Sequence, residues 1–195
     1  MKLYLGFLAF AALADAQTEK LRNEHVTVIE DRLAPGESRA LTATPPCLTI
    51  YLADGKIGNA AVKRGQVDFE PAAPHRLTNT GSTQMKLVRV EFPGHGLDET
   101  WATTGLSPNY KLLFENRYTR VYDIRIPAAT HEPQHTHHDR VVVCLSGAQL
   151  EHLMPDGRVE PSTLATGEIA WRRGGTHIGH NLGKTDLWVI AVEPK

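Results

Sequence analysis

Cysteine is scarce in this chain. There are two in 195 residues, Cys47 and Cys144, one in each half and neither in a C-x-x-C pair. That excludes zinc ribbons and thioredoxin-like redox motifs, and it limits disulfide chemistry to a single bridge that spacing alone does not decide. Both cysteines lie in or beside apolar runs, where a free thiol behaves as a small core residue. An excess of positive charge is also missing: 21 Lys+Arg stand against 22 Asp+Glu, for a net charge of −1. A chain with no basic stripe is not built for nucleic acid. It has neither a Gly-rich phosphate loop nor a G-x-S-x-G elbow, which removes P-loop and α/β-hydrolase chemistry. After residue 16 no run approaches the roughly 18 apolar residues of a membrane-spanning helix.

What is present begins at the start. Lys2, the apolar run Leu3 to Leu13, and Ala14-Asp15-Ala16 before Gln17 have the form of a cleavable secretory signal over residues 1–16. No twin-arginine pair precedes it. The expectation is a mature chain from Gln17 that is secreted or periplasmic, with no transmembrane segment after cleavage.

The chain then repeats itself. RVVVCLSGAQL (140–150) followed by GEIAWRRGGTHIGHNLGKTDLWVIAVE (167–193) matches LTIYLADGKI (48–57) followed by GQVDFEPAAPHRLTNTGSTQMKLVRVE (65–91). Gly65 pairs with Gly167, His75 with His177, Asn79 with Asn181 and Gly81 with Gly183, all at one offset. An internal duplication follows. Each copy reads as short strands rich in β-branched and aromatic residues, separated by turns at ADGK, NTGS, PDGR and NLGK. The sequence therefore predicts an all-β protein of two small units, residues 17–92 and 113–195. A connecting segment, 93–112, lies between them, in which WATTGL has the composition of a helical turn and His95 that of a turn residue.

Four of the ten histidines fall within eight positions, in HEPQHTHH (131–138). Alternate residues of a strand share a face, so His135 and His137 point the same way, and His177 supplies a third imidazole from the second motif. Two imidazoles at i, i+2 and one from a neighbouring strand make three ligands on one side of an ion, with other positions left open. His25, His152 and His180 belong to no such constellation and read as surface or locally bonded residues.

The order of these features is HxH, an apolar strand ending in glycine, then G-x5-P-x3-H-x3-N-x-G in the first copy. It resembles the two motifs of the cupin superfamily over nearly all of the mature chain, and the duplication resembles a bicupin. The resemblance implies two tandem jelly-roll β-barrels, the N-terminal one degenerate, and a metal on His135, His137 and His177. The chain resembles quercetin dioxygenase-like cupins, and thiol dioxygenase cupins as well. The usual glutamate ligand is replaced by Arg140, and the HxH-to-glycine distance is one residue short. A bulge that preserves His135 and His137 comes first, a pleat that turns His138 inward second, and His131, which shares parity with His135, third. In the first copy Ala43-Thr44-Pro45 stands where His135-Thr136-His137 stands in the second, and only His75 survives, so that half is expected to hold no metal while His75 and Asn79 brace a turn.

Three neutral imidazoles with no carboxylate leave a divalent ion its full charge, which attracts a small anionic substrate; Arg140, if inward, orients that anion's carboxylate as a catalytic group. Trp171 reads as core or pocket wall, and Arg173 replaces a turn proline. The metal is one of Fe, Mn, Zn, Cu or Ni. The expected function is an exported, dioxygenase-like oxidoreductase; the alternative is a non-catalytic module that captures a metabolite through its metal. Occupancy is expected to fall below pH ~6.5, where free imidazoles protonate. A homodimer through open sheet edges is a further expectation.

Overall fold

The computed structural model describes residues 17–41, 45–94, 96 and 106–195, and these form strands and turns with no helix among them. The first half holds β1 (Gln17–Arg22), β2 (Thr27–Leu33), β3 (Ser38–Leu41), β4 (Cys47–Tyr51), β5 (Gly55–Ile57), β6 (Ala60–Val62), β7 (Val67–Glu70), β8 (His75–Thr78) and β9 (Met85–Glu91). The second holds β10 (Tyr110–Glu115), β11 (Thr119–Ile126), β12 (His135–His137), β13 (Arg140–Ser146), β14 (Ala148–Leu153), β15 (Val159–Leu164), β16 (Ile169–Arg172), β17 (Gly175–Asn181) and β18 (Leu187–Pro194). The expected signal segment 1–16, Ala43 and Thr44, His95, and all but the last residue of WATTGL lie outside the described residues. β10 begins at Tyr110, inside the segment that the sequence assigns to the connection: Tyr110 to Leu112 already pair with β11.

The strand pairing repeats from one half to the other. The first half has a five-stranded sheet in the order β1-β2-β9-β4-β7, and the second has β10-β11-β18-β13-β16, the same order nine strands later. β3 pairs with β8 as β12 does with β17, and β5 with β6 as β14 does with β15. The matched asparagines do the same work in each half. Asn79 Nδ2 donates to the carbonyls of Leu33 and Thr83 and its Oδ1 accepts from Gly81 N–H. Asn181 Nδ2 donates to Ile126 and Thr185, and its Oδ1 accepts from Gly183 N–H. Both side chains are fully buried, so each amide closes a turn onto a distant strand with bonds that water does not supply.

The cores explain why β4, β13 and β18 are apolar on both faces. One face of each five-stranded sheet meets the other: Val28, Leu48, Ile50 and Val90 pack with Val141, Val143, Ile190 and Val192 in one cluster. The opposite faces look inward. Tyr122, Ile124, Val142 and Cys144 fill the second half, and Leu33, Tyr51, Met85 and Leu87 the first. Alternation along β13 thus sends Val141, Val143 and Leu145 to the shared core, and Val142 and Cys144 to the interior. Cys47 and Cys144 are both buried free thiols.

Candidate metal centre

β12 pairs with β17 so that His135 lies directly opposite His177, and His137 opposite Gly175. The pleat turns His135 and His137 inward, 2% and 6% exposed, and leaves Thr136 outside, where its hydroxyl meets that of Thr176 at 2.7 Å. One ligand nitrogen from each of His135, His137 and His177 lies within 4.8 Å of the others. The ring centroids stand 4.7 Å apart for 135 and 177, 5.1 Å for 137 and 177, and 6.0 Å for 135 and 137.

Two of the rings are oriented from behind. His135 Nδ1–H donates to the Pro133 carbonyl and His137 Nδ1–H to the His138 carbonyl, each at 3.0 Å. With the proton on Nδ1, the Nε2 lone pair faces the site, the arrangement by which protein histidines ligate metals. His137 Nε2 is buried with no hydrogen-bond partner, a state that native interiors rarely leave uncompensated. Burial, reinforced by the Arg140 charge, lowers the His137 pKa to about 2; burial and then His152 lower that of His177 to about 3. Both rings are therefore neutral donors at ordinary pH. Gly174 gives the turn before β17 its close approach, because a Cβ there would sit 2.7 Å from the His137 carbonyl oxygen.

The other expected candidates separate. His138 is exposed and its backbone N–H donates to Glu193 at 3.1 Å, so the pleat does not turn it inward. His131 is exposed and bridges to His180, its ring 6.2 Å from that ring. Its shared parity with His135 does not apply, because the chain between them runs irregularly through Pro133 and bends at Gln134 rather than continuing as a strand. Arg140 faces the cavity: its Nη1 donates to the Tyr110 hydroxyl at 2.8 Å and its guanidinium lies 5.5 Å from that ring's centre. Trp171 stacks on His25 at 5.6 Å and joins the core between the halves, rather than the cavity wall.

Three residues of the site have no signal in the motifs. Tyr110, from β10, places its hydroxyl 3.2 Å from His135 Nε2, linking Arg140 to that ring. His152 corrects the surface reading given above: its ring is 4.5 Å from that of His177, it lines the cavity, and burial lowers its pKa. Glu132 places a carboxyl group beside a candidate ligand set that itself contains none. It is 3% exposed, its Oε2 is 3.9 Å from His135 Nε2, and its Oε1 has no partner. Burial raises its pKa against the opposing pull of His135. Gly179 makes the room, since a Cβ there would lie 2.6 Å from that carboxylate. Tyr110, Glu132, His137, Arg140, His152 and His177 open on a cavity of about 410 Å³, whose wall also includes the aliphatic Ile124, Val142, Leu150 and Val189.

No family model matches the chain, and no curated protein matches it. Solved structures do. A cupin 2 conserved barrel domain protein from Leptotrichia buccalis is 14% identical, with 92% of this chain and 88% of that one covered at a TM-score of 0.60. AerE from Microcystis aeruginosa is 15% identical, with 92% and 97% covered at 0.63. Oxalate decarboxylase from Bacillus subtilis, a protein with Mn(II) centres, is 14% identical, with 87% and 69% covered at 0.58. At these identities the likeness is one of architecture. The chain has the all-β jelly-roll fold of cupin proteins.

Proposed function

We propose that this protein is a bicupin that holds a divalent metal ion on His135, His137 and His177 and uses it to bind and transform a small anionic substrate. The observation that carries this reading is the convergence of the three imidazoles on one point, two of them lining the cavity, with the buried His137 Nε2 left without a partner. Bound there, an ion of Fe, Mn, Zn, Cu or Ni supplies a positive centre that polarises a substrate oxygen and keeps positions open for an anion and a small co-substrate.

The chain's own groups do the rest. Arg140 offers a guanidinium to the carboxylate or enolate of the substrate. The aliphatic wall takes an apolar body and excludes water. Tyr110, its hydroxyl between Arg140 and His135, donates a hydrogen bond to a substrate oxygen. Glu132 takes or returns a proton beside the ring of His135. The resemblance to quercetin dioxygenase-like cupins favours oxidation by dioxygen, and the expected signal segment favours action in the periplasm or outside the cell. Glu132 favours a second reading, decarboxylation or isomerisation, because a buried carboxyl beside the site moves protons without dioxygen.

Elemental analysis of protein purified without chelator, followed by oxygen uptake with catechol, flavonol and thiol substrates, tests the proposal. Metal that is lost in His177→Ala, with oxygen consumed by the parent protein, is the expected result. Metal loss in the variant with no turnover of any substrate, only a shifted melting temperature, assigns a binding module instead. Full metal retention in His177→Ala rejects the ligand set.

A further inference from the structure

In the first half, where the repeated topology returns to the same place, a different set of donors assembles. Cys47 and Glu70 are direct cross-strand partners on β4 and β7, as Arg140 and Arg172 are on β13 and β16. His75 opens β8 as the counterpart of His177. The thiol, one carboxylate oxygen and one imidazole nitrogen all lie within 4.8 Å of one another. Cys47 is fully buried, and Glu70 and His75 are each about one-fifth exposed.

The direction of the donors identifies the chemistry. His75 Nδ1–H donates to the Ala73 carbonyl at 3.0 Å, two residues back, as His135 does to Pro133. Its Nε2 is thereby turned towards Glu70 Oε2, and the two atoms are in contact. A nucleophilic relay needs the carboxylate on one ring nitrogen and the thiol on the other. Here Nδ1 is occupied by backbone, so carboxylate and thiol meet the ring on the same side, the geometry of three ligands around one point. The charge around them also favours a cation: the nearby Arg89 is held by Asp31 and Glu91, each at 2.7 Å. A cavity of about 410 Å³ opens over Glu70 and His75, leaving access for a fourth ligand.

We infer that Cys47, Glu70 and His75 form a second divalent-metal site, of the thiolate–carboxylate–imidazole type that suits zinc. This replaces the expectation that the first half holds no ion, which counted imidazoles and overlooked a thiol and a carboxylate brought in by strand pairing. The inference does not rest on the histidine trio, and cobalt(II) tells the two sites apart because only one contains sulfur. Chelator-stripped full-length protein titrated with cobalt should take up about two ions per chain, one of them giving the near-ultraviolet sulfur-to-cobalt absorption of a thiolate ligand. Cys47→Ser should abolish that band and leave about one ion, whereas His177→Ala should keep the band and lose the other ion. Glu70→Gln, which retains the shape of the strand pair, should weaken cobalt binding at the sulfur site by about tenfold or more. The absence of a thiolate band in folded parent protein, or its persistence in Cys47→Ser, overturns the site, whatever happens at the trio.

Discussion

At the scale of single residues, the site depends on how its imidazoles are kept neutral. His137 and His177 have folded-state pKa values of about 2 and about 3, against roughly 6.5 in an unfolded chain. Between those values the unfolded chain binds the extra protons, so stability rises with pH. Metal-free protein should therefore hold its full contribution from these rings above pH ~6.5 and lose it progressively as pH falls towards about 3 and then about 2, which urea midpoints across that window will measure. The same depression moves metal loss. Proton competition at these two rings begins well below the pH ~6.5 that free imidazole sets. The glycines give a second residue-level prediction. Gly174→Ala would press a methyl on the His137 carbonyl and should weaken metal affinity on the order of tenfold. Gly179→Ala would instead displace the Glu132 carboxylate, so turnover should fall while metal content holds.

At the scale of elements, the two buried asparagines are the joints of the repeat. Asn181→Ala leaves the Ile126 and Thr185 carbonyls without their donor and should cost about 1–3 kcal/mol for each that water does not reach. Asn79→Ala should cost a similar amount at Leu33 and Thr83, and denaturant unfolding checks both. This level was well legible in the sequence. The offset that aligns Asn79 with Asn181 and His75 with His177 matches the nine-strand shift in the pairing order, and parity alone aims His135 and His137 one way. Legibility ended where regular strand ends. Pro133 breaks the period, so His131 leaves the site and Glu132 enters it, contrary to any count by twos. His152 reaches the trio through the pairing of β14 with β17, and Tyr110 reaches it across the interior from β10 in the other sheet, relations that sequence spacing does not carry. Cys47 and Glu70 are likewise adjacent only through the pairing of β4 with β7.

At the scale of the whole molecule, the halves share a core made from both. Val121, Val141, Val143 and Val192 are each fully buried, and across from them stand Val28, Leu48, Ile50 and Val90, also fully buried. A fragment of residues 106–195 carries every residue proposed for the trio, yet it would present one whole apolar sheet face to water. Such a face is an association hazard, so the fragment should aggregate or pair with itself, as gel filtration beside the full chain will reveal. Supplying residues 17–92 in trans should restore a soluble complex.

The strands that carry this shared core have no side turned to solvent, and that sets the terms on which the protein can change. Whichever way a side chain of β13 or β18 points it meets packed neighbours, the other half on one face or its own interior on the other, so a substitution at any of these positions is felt. The first half is thereby free to alter or abandon its own chemistry, provided its outer wall keeps the contour that the second half leans on.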